Sequence, residues 1–214
     1  MIVVKVGGAV AGDALPLPEG DTVVVHGGGP QITAALRRHL LPVEFVGGRR
    51  VTSPAAIEVV REALAQVNRG LCAAIGPRAA GLMGDEIGLR ARRVPGLGLV
   101  GDPLPCRPPA VEETLDAGGI PVVAPLAEGP LNVNADEMAA ALAVGLGAER
   151  LLFLTDVPGL LRHGSVVGAI PADDAEDLLA SGELEGGILP KLTAAVTAAR
   201  LGVTASIGET AVLA

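Results

Sequence analysis

The chain has 214 residues, half of them hydrophobic, enough to bury a core in one moderate domain or in two lobes sharing a sheet. A formal charge of -8, from 24 acidic against 16 basic residues, excludes a generic nucleic-acid binder, whose affinity comes from cations meeting phosphates. Two Phe and no Tyr or Trp exclude base-stacking platforms and aromatic cages.

Apolar content is mostly Ala, Val and Leu interrupted by Gly and Pro, and no unbroken apolar stretch reaches the roughly 20 residues that cross a bilayer. The opening Met1-Ile2-Val3-Val4-Lys5 lacks the layout of a secretory signal and reads as a strand. A cytoplasmic protein without a membrane partner is expected. Cys72 and Cys106 are too few for a disulfide framework or a zinc site and read as small buried hydrophobes.

Gly and Pro, 30 and 17 of them, divide the chain into alternating strand and helix segments. Ile2–Val6 and Thr22–His26 are short β-branched runs, and residues 31–41 have helical spacing. Ser53 can cap a long helix over residues 54–74, with Pro54 at its first position. Residues 81–100, rich in Gly and carrying Arg90, Arg92 and Arg93 against apolar neighbours, predict short strands or a hairpin. A helix over 111–117 and a strand at Ile120–Ala124 follow. The second half predicts helices at Ala135–Leu146, 172–180 and 189–201, and strands at 151–155, 203–207 and Thr210–Leu213. Continuous apolar strands alternating with helices imply a parallel sheet covered on both faces. Ligands of such sheets sit at the carboxyl ends of the strands.

Those loop positions carry the informative residues. Only two of the basic residues are lysines, Lys5 and Lys191, against 14 arginines, so a retained Lys marks either a need for a compact ammonium or compositional chance, and the neighbouring residues decide between them. Lys5 precedes Gly7-Gly8 at a strand end, and Lys191 falls in a first helical turn after Gly186-Gly187. His26-Gly27-Gly28-Gly29-Pro30 joins a buried strand to a helix and exposes amide N–H groups beside a positive helix dipole. It is neither a dinucleotide-binding nor a Walker loop, because Ile32 stands where a third glycine belongs and no Gly-Lys-Ser/Thr follows. His26 itself reads as a structural residue closing a buried strand. Of Arg49 and Arg50, one can fork onto a carboxylate, although a solvated pair fits the stretch equally well. Asn132 stands before a helix whose first turn holds Asp136, and Thr155-Asp156-Val157-Pro158-Gly159 ends another buried strand.

In this order the motifs resemble the amino acid kinase family over essentially the whole chain: K-x-G-G at Lys5, HGGGP at His26, G-x-R-V-T at Gly48, N-V-N-A-D at Asn132, T-D-V-P-G at Thr155 and G-G-x-x-P-K at Gly186. The resemblance implies a three-layer αβα sandwich with a central, mainly parallel open sheet. Residues 1–130 would form an N-terminal lobe for the acyl substrate and dimerisation, and residues 131–214 a C-terminal lobe for ATP. By the same resemblance Lys5, Lys191 and Asp136 form the catalytic set. Gly28, Gly29, Arg50 and Asn132 bind the acceptor, N-acetyl-L-glutamate. Gly7, Gly8, Gly27, Asp156, Gly159, Leu160, Leu161, Gly186 and Gly187 hold nucleotide and phosphate. ATP brings its own Mg²⁺, with no dedicated metal ligands. Because arginine-inhibited members carry an extra N-terminal helix, an arginine-insensitive homodimer is expected. Two alternatives stay open: a kinase for carrier-linked aminoadipate, and a non-catalytic relic that binds a metabolite.

Overall fold

The computed structural model describes residues 1–7, 15–155, 157–162, 164–184 and 186–214. The first half runs β1 (Ile2–Val6), β2 (Thr22–His26), α1 (Gly29–Arg38), β3 (Phe45–Val46), β4 (Arg49–Arg50), α2 (Ile57–Ile75), β5 (Ala79–Met83), β6 (Ala91–Arg93), β7 (Val100–Pro103), α3 (Pro109–Asp116) and β8 (Ile120–Ala124). The second half runs β9 (Leu126–Ala127), β10 (Leu131–Val133), α4 (Ala135–Leu146), β11 (Arg150–Leu154), β12 (Leu161–Arg162), β13 (Ser165–Val166), β14 (Ala169–Pro171), α5 (Ala172–Ser181), α6 (Ile188–Arg200), β15 (Thr204–Ile207) and β16 (Thr210–Leu213).

Eight strands make the main sheet in the order β14-β16-β15-β11-β1-β2-β8-β5, parallel except for the β15–β16 hairpin. Its central strands are mostly apolar on both faces, because alternate side chains point to opposite faces and both faces are covered; the polar exceptions Lys5 and His26 stand at or near the carboxyl ends of β1 and β2. Val3, Val25, Val123, Leu151 and Phe153 join the cluster that includes Leu142 of α4 and Leu192 of α6. Val4, Val6, Val24 and Val122 pack with Leu71 of α2 on the other side. The expected αβα sandwich with a mainly parallel sheet is therefore what the chain forms. A smaller sheet, β6-β7-β10-β9, stands beside it, and the β3–β4 hairpin is a separate two-stranded ribbon.

Several boundaries differ from expectation. Helix α1 starts at Gly29 rather than 31, with Pro30 in its first turn, and stops at Arg38, two residues before Leu40 adopts a φ of 56°. Ser53 caps a turn ahead of α2, its Oγ accepting from the amide of Ala56 at 3.2 Å, and the helix proper begins at Ile57. Only β6 and β7 form the hairpin expected within residues 81–100; β5 instead extends the main sheet. The short strands β9 and β10 were not expected. Cys72 and Cys106 are free thiols only half-buried, not core residues. Among the described residues no helix is long and apolar enough to cross a membrane.

Candidate active site

Strand parity aims Lys5 at its partner. Lys5 shares the face of Val3, the face covered by α4, and its register neighbours are Val25 on β2 and Phe153 on β11. Helix α4 in turn begins where it does because Asn134 caps it: the side-chain oxygen accepts from the amides of Asp136 at 2.8 Å and Glu137 at 3.2 Å. Asp136 in that first turn complements the helix dipole and lies 2.9 Å from the Lys5 ammonium. Both residues are buried, Lys5 at 6% exposure and Asp136 at 5%.

Lys191 reaches the same carboxylate from the other side, its Nζ 3.7 Å from Asp136 Oδ2. A cation in the first turn of a helix opposes the dipole, so Lys191 does nothing for α6 itself. Its ammonium also donates to the Gly187 carbonyl at 3.2 Å. Residues 186 positions apart thus meet on one acid, at the carboxyl ends of β1, β2 and β11.

The three groups line a cavity of about 390 Å³, together with Gly7, Gly27, Gly28 and Gly29, Arg50 and Asn132. Gly28 is closely packed, since a Cβ there would come 3.1 Å from the Leu64 side chain, which would have to give slightly. Arg50 is 6% exposed and holds its place by donating from Nη2 to the Gly29 carbonyl at 3.1 Å and to Thr33 Oγ1 at 2.8 Å. Phe45, its neighbour across the hairpin, lies under the guanidinium with 4.5 Å between Cζ and the ring centre. Burial pushes the Arg50 pKa down from its ordinary value, though an arginine remains a cation at neutral pH. Its Nη1 is buried and finds no hydrogen-bond partner among the described residues, which suits an anion in the cavity. Asn132 lines the cavity and donates to Thr52 Oγ1 at 3.0 Å.

A second groove, about 550 Å³, meets this cavity at Thr155 and Lys191 and is lined by Gly159, Leu160, Leu161 and Gly187. Gly186 turns at a φ of 71° just before it without lining it. Gly8 and Asp156 lie outside the described residues. A separate cleft, about 890 Å³ between α1 and α2, touches the site through Gly7 and Gly27.

His26 is 1% exposed, its Nδ1 2.9 Å from the Gly27 carbonyl and its Nε2 3.1 Å from the Asn68 amide. Since that amide nitrogen can only donate, Nε2 accepts and Nδ1 carries the proton. Burial lowers the pKa to about 4, with Lys5 adding to the effect, so the ring is neutral and structural. The sequence reading missed Arg49, whose Nε donates to both Glu137 oxygens at 2.9 and 3.0 Å while Nη2 donates to Asp102 at 2.7 Å. The adjacent Arg49-Arg50 pair was the available signal.

Two ammonium groups, a buried guanidinium and a row of glycines thus converge at the carboxyl ends of three central strands, a cationic pocket of the kind that suits anions. The chain belongs to the amino acid kinase family, whose model matches residues 1–208. It is 49% identical to the acetylglutamate kinase of Rubrobacter xylanophilus over 96% of this chain and 87% of that one. Against the acetylglutamate kinase of Leifsonia xyli it is 46% identical over 85% of this chain and 67% of that one. Among solved structures, smu.665 from Streptococcus mutans superposes with a TM-score of 0.88 at 27% identity, covering 99% of this chain and 98% of that one.

Proposed function

We propose that this protein is an ATP-dependent kinase that phosphorylates the γ-carboxylate of N-acetyl-L-glutamate, giving N-acetyl-L-glutamyl 5-phosphate for arginine biosynthesis. The chemistry rests on one observation, the buried carboxylate of Asp136 flanked by the ammonium groups of Lys5 and Lys191. The acceptor is argued from the two acetylglutamate kinases that the chain resembles.

The acceptor carboxylate, with an ordinary pKa of roughly 4.3, is already ionised and needs no general base. The obstacle is repulsion: two unit charges about 4 Å apart interact by about 4 kcal/mol at an effective dielectric of roughly 20. Lys5 and Lys191 offset it by facing the phosphoryl group, and Asp136 holds both in position. Arg50 grips the α-carboxylate through its unpartnered Nη1, and Asn132 takes the amide of the substrate backbone. Gly7, Gly28 and Gly29 present backbone amides to phosphate and acceptor, while Gly27, whose amide donates to the Val6 carbonyl at 3.0 Å, leaves room for the phosphate to approach. The nucleotide occupies the groove of Gly159, Leu160, Leu161 and Gly187, and family resemblance alone adds Gly8, Asp156 and Gly186. Mg²⁺ carried by ATP would neutralise charge on its phosphates, with no residue of the chain assigned to hold it. In this division residues 1–130 serve the acceptor and residues 131–214 the nucleotide, in a cytoplasmic homodimer.

Trapping the acyl phosphate with hydroxylamine, in parallel reactions with N-acetylglutamate, glutamate and carrier-linked aminoadipate, tests the proposal. Hydroxamate formed from N-acetylglutamate alone, dependent on ATP, is expected. Product from aminoadipate alone would transfer the protein to the other kinase class, and no product from any acceptor would make it a binding relic. Sizing chromatography tests the dimer.

A further inference from the structure

The β3–β4 hairpin carries Arg50 but forms a ribbon of its own, outside both larger sheets. A two-stranded ribbon is marginal in isolation, so something else must hold it over the cavity. Beyond the Arg50 bonds to α1, its ties lead to the start of α4, to β7 and towards the start of α6. The Gly48 carbonyl accepts from Asn134, the cap of α4, at 3.3 Å. Arg49 spans to Glu137 in the first turn of α4 and to Asp102 on β7. A Cβ on Gly48 would lie 3.9 Å from Pro190, the residue before Lys191.

We propose that Arg49 is a positioning residue, latching the hairpin to the first turn of α4 so that Arg50 stays aimed into the acceptor cavity. The geometry suits a latch. Nε bridges both oxygens of Glu137 while Nη2 takes Asp102, a three-point grip available to a guanidinium fork and not to an ammonium. Burial acts to lower the Arg49 pKa, but Glu137 and Asp102 outweigh it and raise the value, so the grip stays charged. Burial also raises the pKa of Glu137, and Arg49 opposes that rise. Removing Arg49 therefore loosens the hairpin and leaves a partly buried acid beside Asp136 without its counter-ion. Arg50 and Asp136, clamp and catalytic acid, are thereby coupled through one pair of neighbouring side chains.

The proposal rests on the kinase reading for its substrate and is tested by steady-state kinetics of Arg49→Met, Arg49→Lys, Glu137→Gln and the double variant Arg49→Met/Glu137→Gln. A latch predicts an acceptor KM raised about tenfold or more in Arg49→Met, with the ATP KM and the turnover at saturating acceptor little changed. Arg49→Lys should recover part of the loss, and the double variant should be no worse than Arg49→Met alone. An acceptor KM within about twofold of wild type, or losses that add in the double variant, would overturn it. If the wild-type protein turns over no N-acetylglutamate, the kinase reading fails separately, and hydrogen exchange of the amides of residues 45–50 decides the latch. Faster exchange confined to that hairpin in Arg49→Met supports it, and unchanged exchange refutes it.

Discussion

Lys5 and Lys191 share an acid but are held unequally. Lys5 is inside the fold at 2.9 Å from Asp136, while Lys191 stands at 3.7 Å with twice the side-chain exposure, 15% against 7%. Replacing either by Ala should remove at least about 3 kcal/mol of transition-state stabilisation, the scale of a lost oxyanion donor, and a variant keeping more than roughly a tenth of wild-type turnover would contradict the role. Stability should tell them apart. Lys5→Ala strands a buried carboxylate and should cost about 3 kcal/mol in thermal or denaturant unfolding, whereas Lys191→Ala should cost much less. His26 makes the stability depend on pH. The unfolded imidazole binds a proton near 6.5 and the folded one only near about 4, so stability is complete above the first value and falls on acidification towards the second. The loss should be on the order of 2 kcal/mol between pH 7.5 and 5, read as unfolding free energy, and His26→Gln should lose less over that range. The lysines were legible in the sequence because arginine fills nearly every other basic position. Arg49 was not, because an Arg-Arg pair looks solvated until Glu137 and Asp102, 88 and 53 residues away, are folded against it.

At the level of elements, chemistry-bearing helix starts were easier to read than short strands. The start of α4 at Ala135 was read correctly from the acid in its first turn, although its cap, Asn134, shows only in the fold. Strands β9 and β10 have two and three residues, too few for a period to show, and exist only because the smaller sheet pairs them. Glycines within helices differ in the same non-local way. Gly145 in α4 faces the backbone of Cys106, and a Cβ would fall 2.0 Å from that carbonyl oxygen. Gly145→Ala should therefore destabilise by about 1–3 kcal/mol despite better helix propensity. Gly70 in α2 has nothing within 4 Å of the same construction. Gly70→Ala should stabilise by roughly 0.5–1 kcal/mol. Chemical denaturation followed by circular dichroism checks both, and equal effects would mean that α4 does not pack so closely.

The whole molecule is bound together at the middle of its main sheet. β1 hydrogen-bonds β2 on one edge and β11 on the other, with Ile2 opposite both Thr22 and Arg150. The two lobes implied by family resemblance consequently share a sheet, and calorimetry should record one unfolding transition whose van't Hoff and calorimetric enthalpies agree. Two resolved transitions would contradict that. The parallel architecture was readable from the alternation of apolar runs and helices, but the strand order was not, since nothing in a local pattern says that β11 inserts beside β1. That insertion matters during synthesis. At roughly 5–20 residues per second, β1 leaves the ribosome many seconds before β11 does, and until then one of its edges has no partner. The nascent chain must keep that exposed edge from pairing with a stranger, a burden set by topology and not by any single residue.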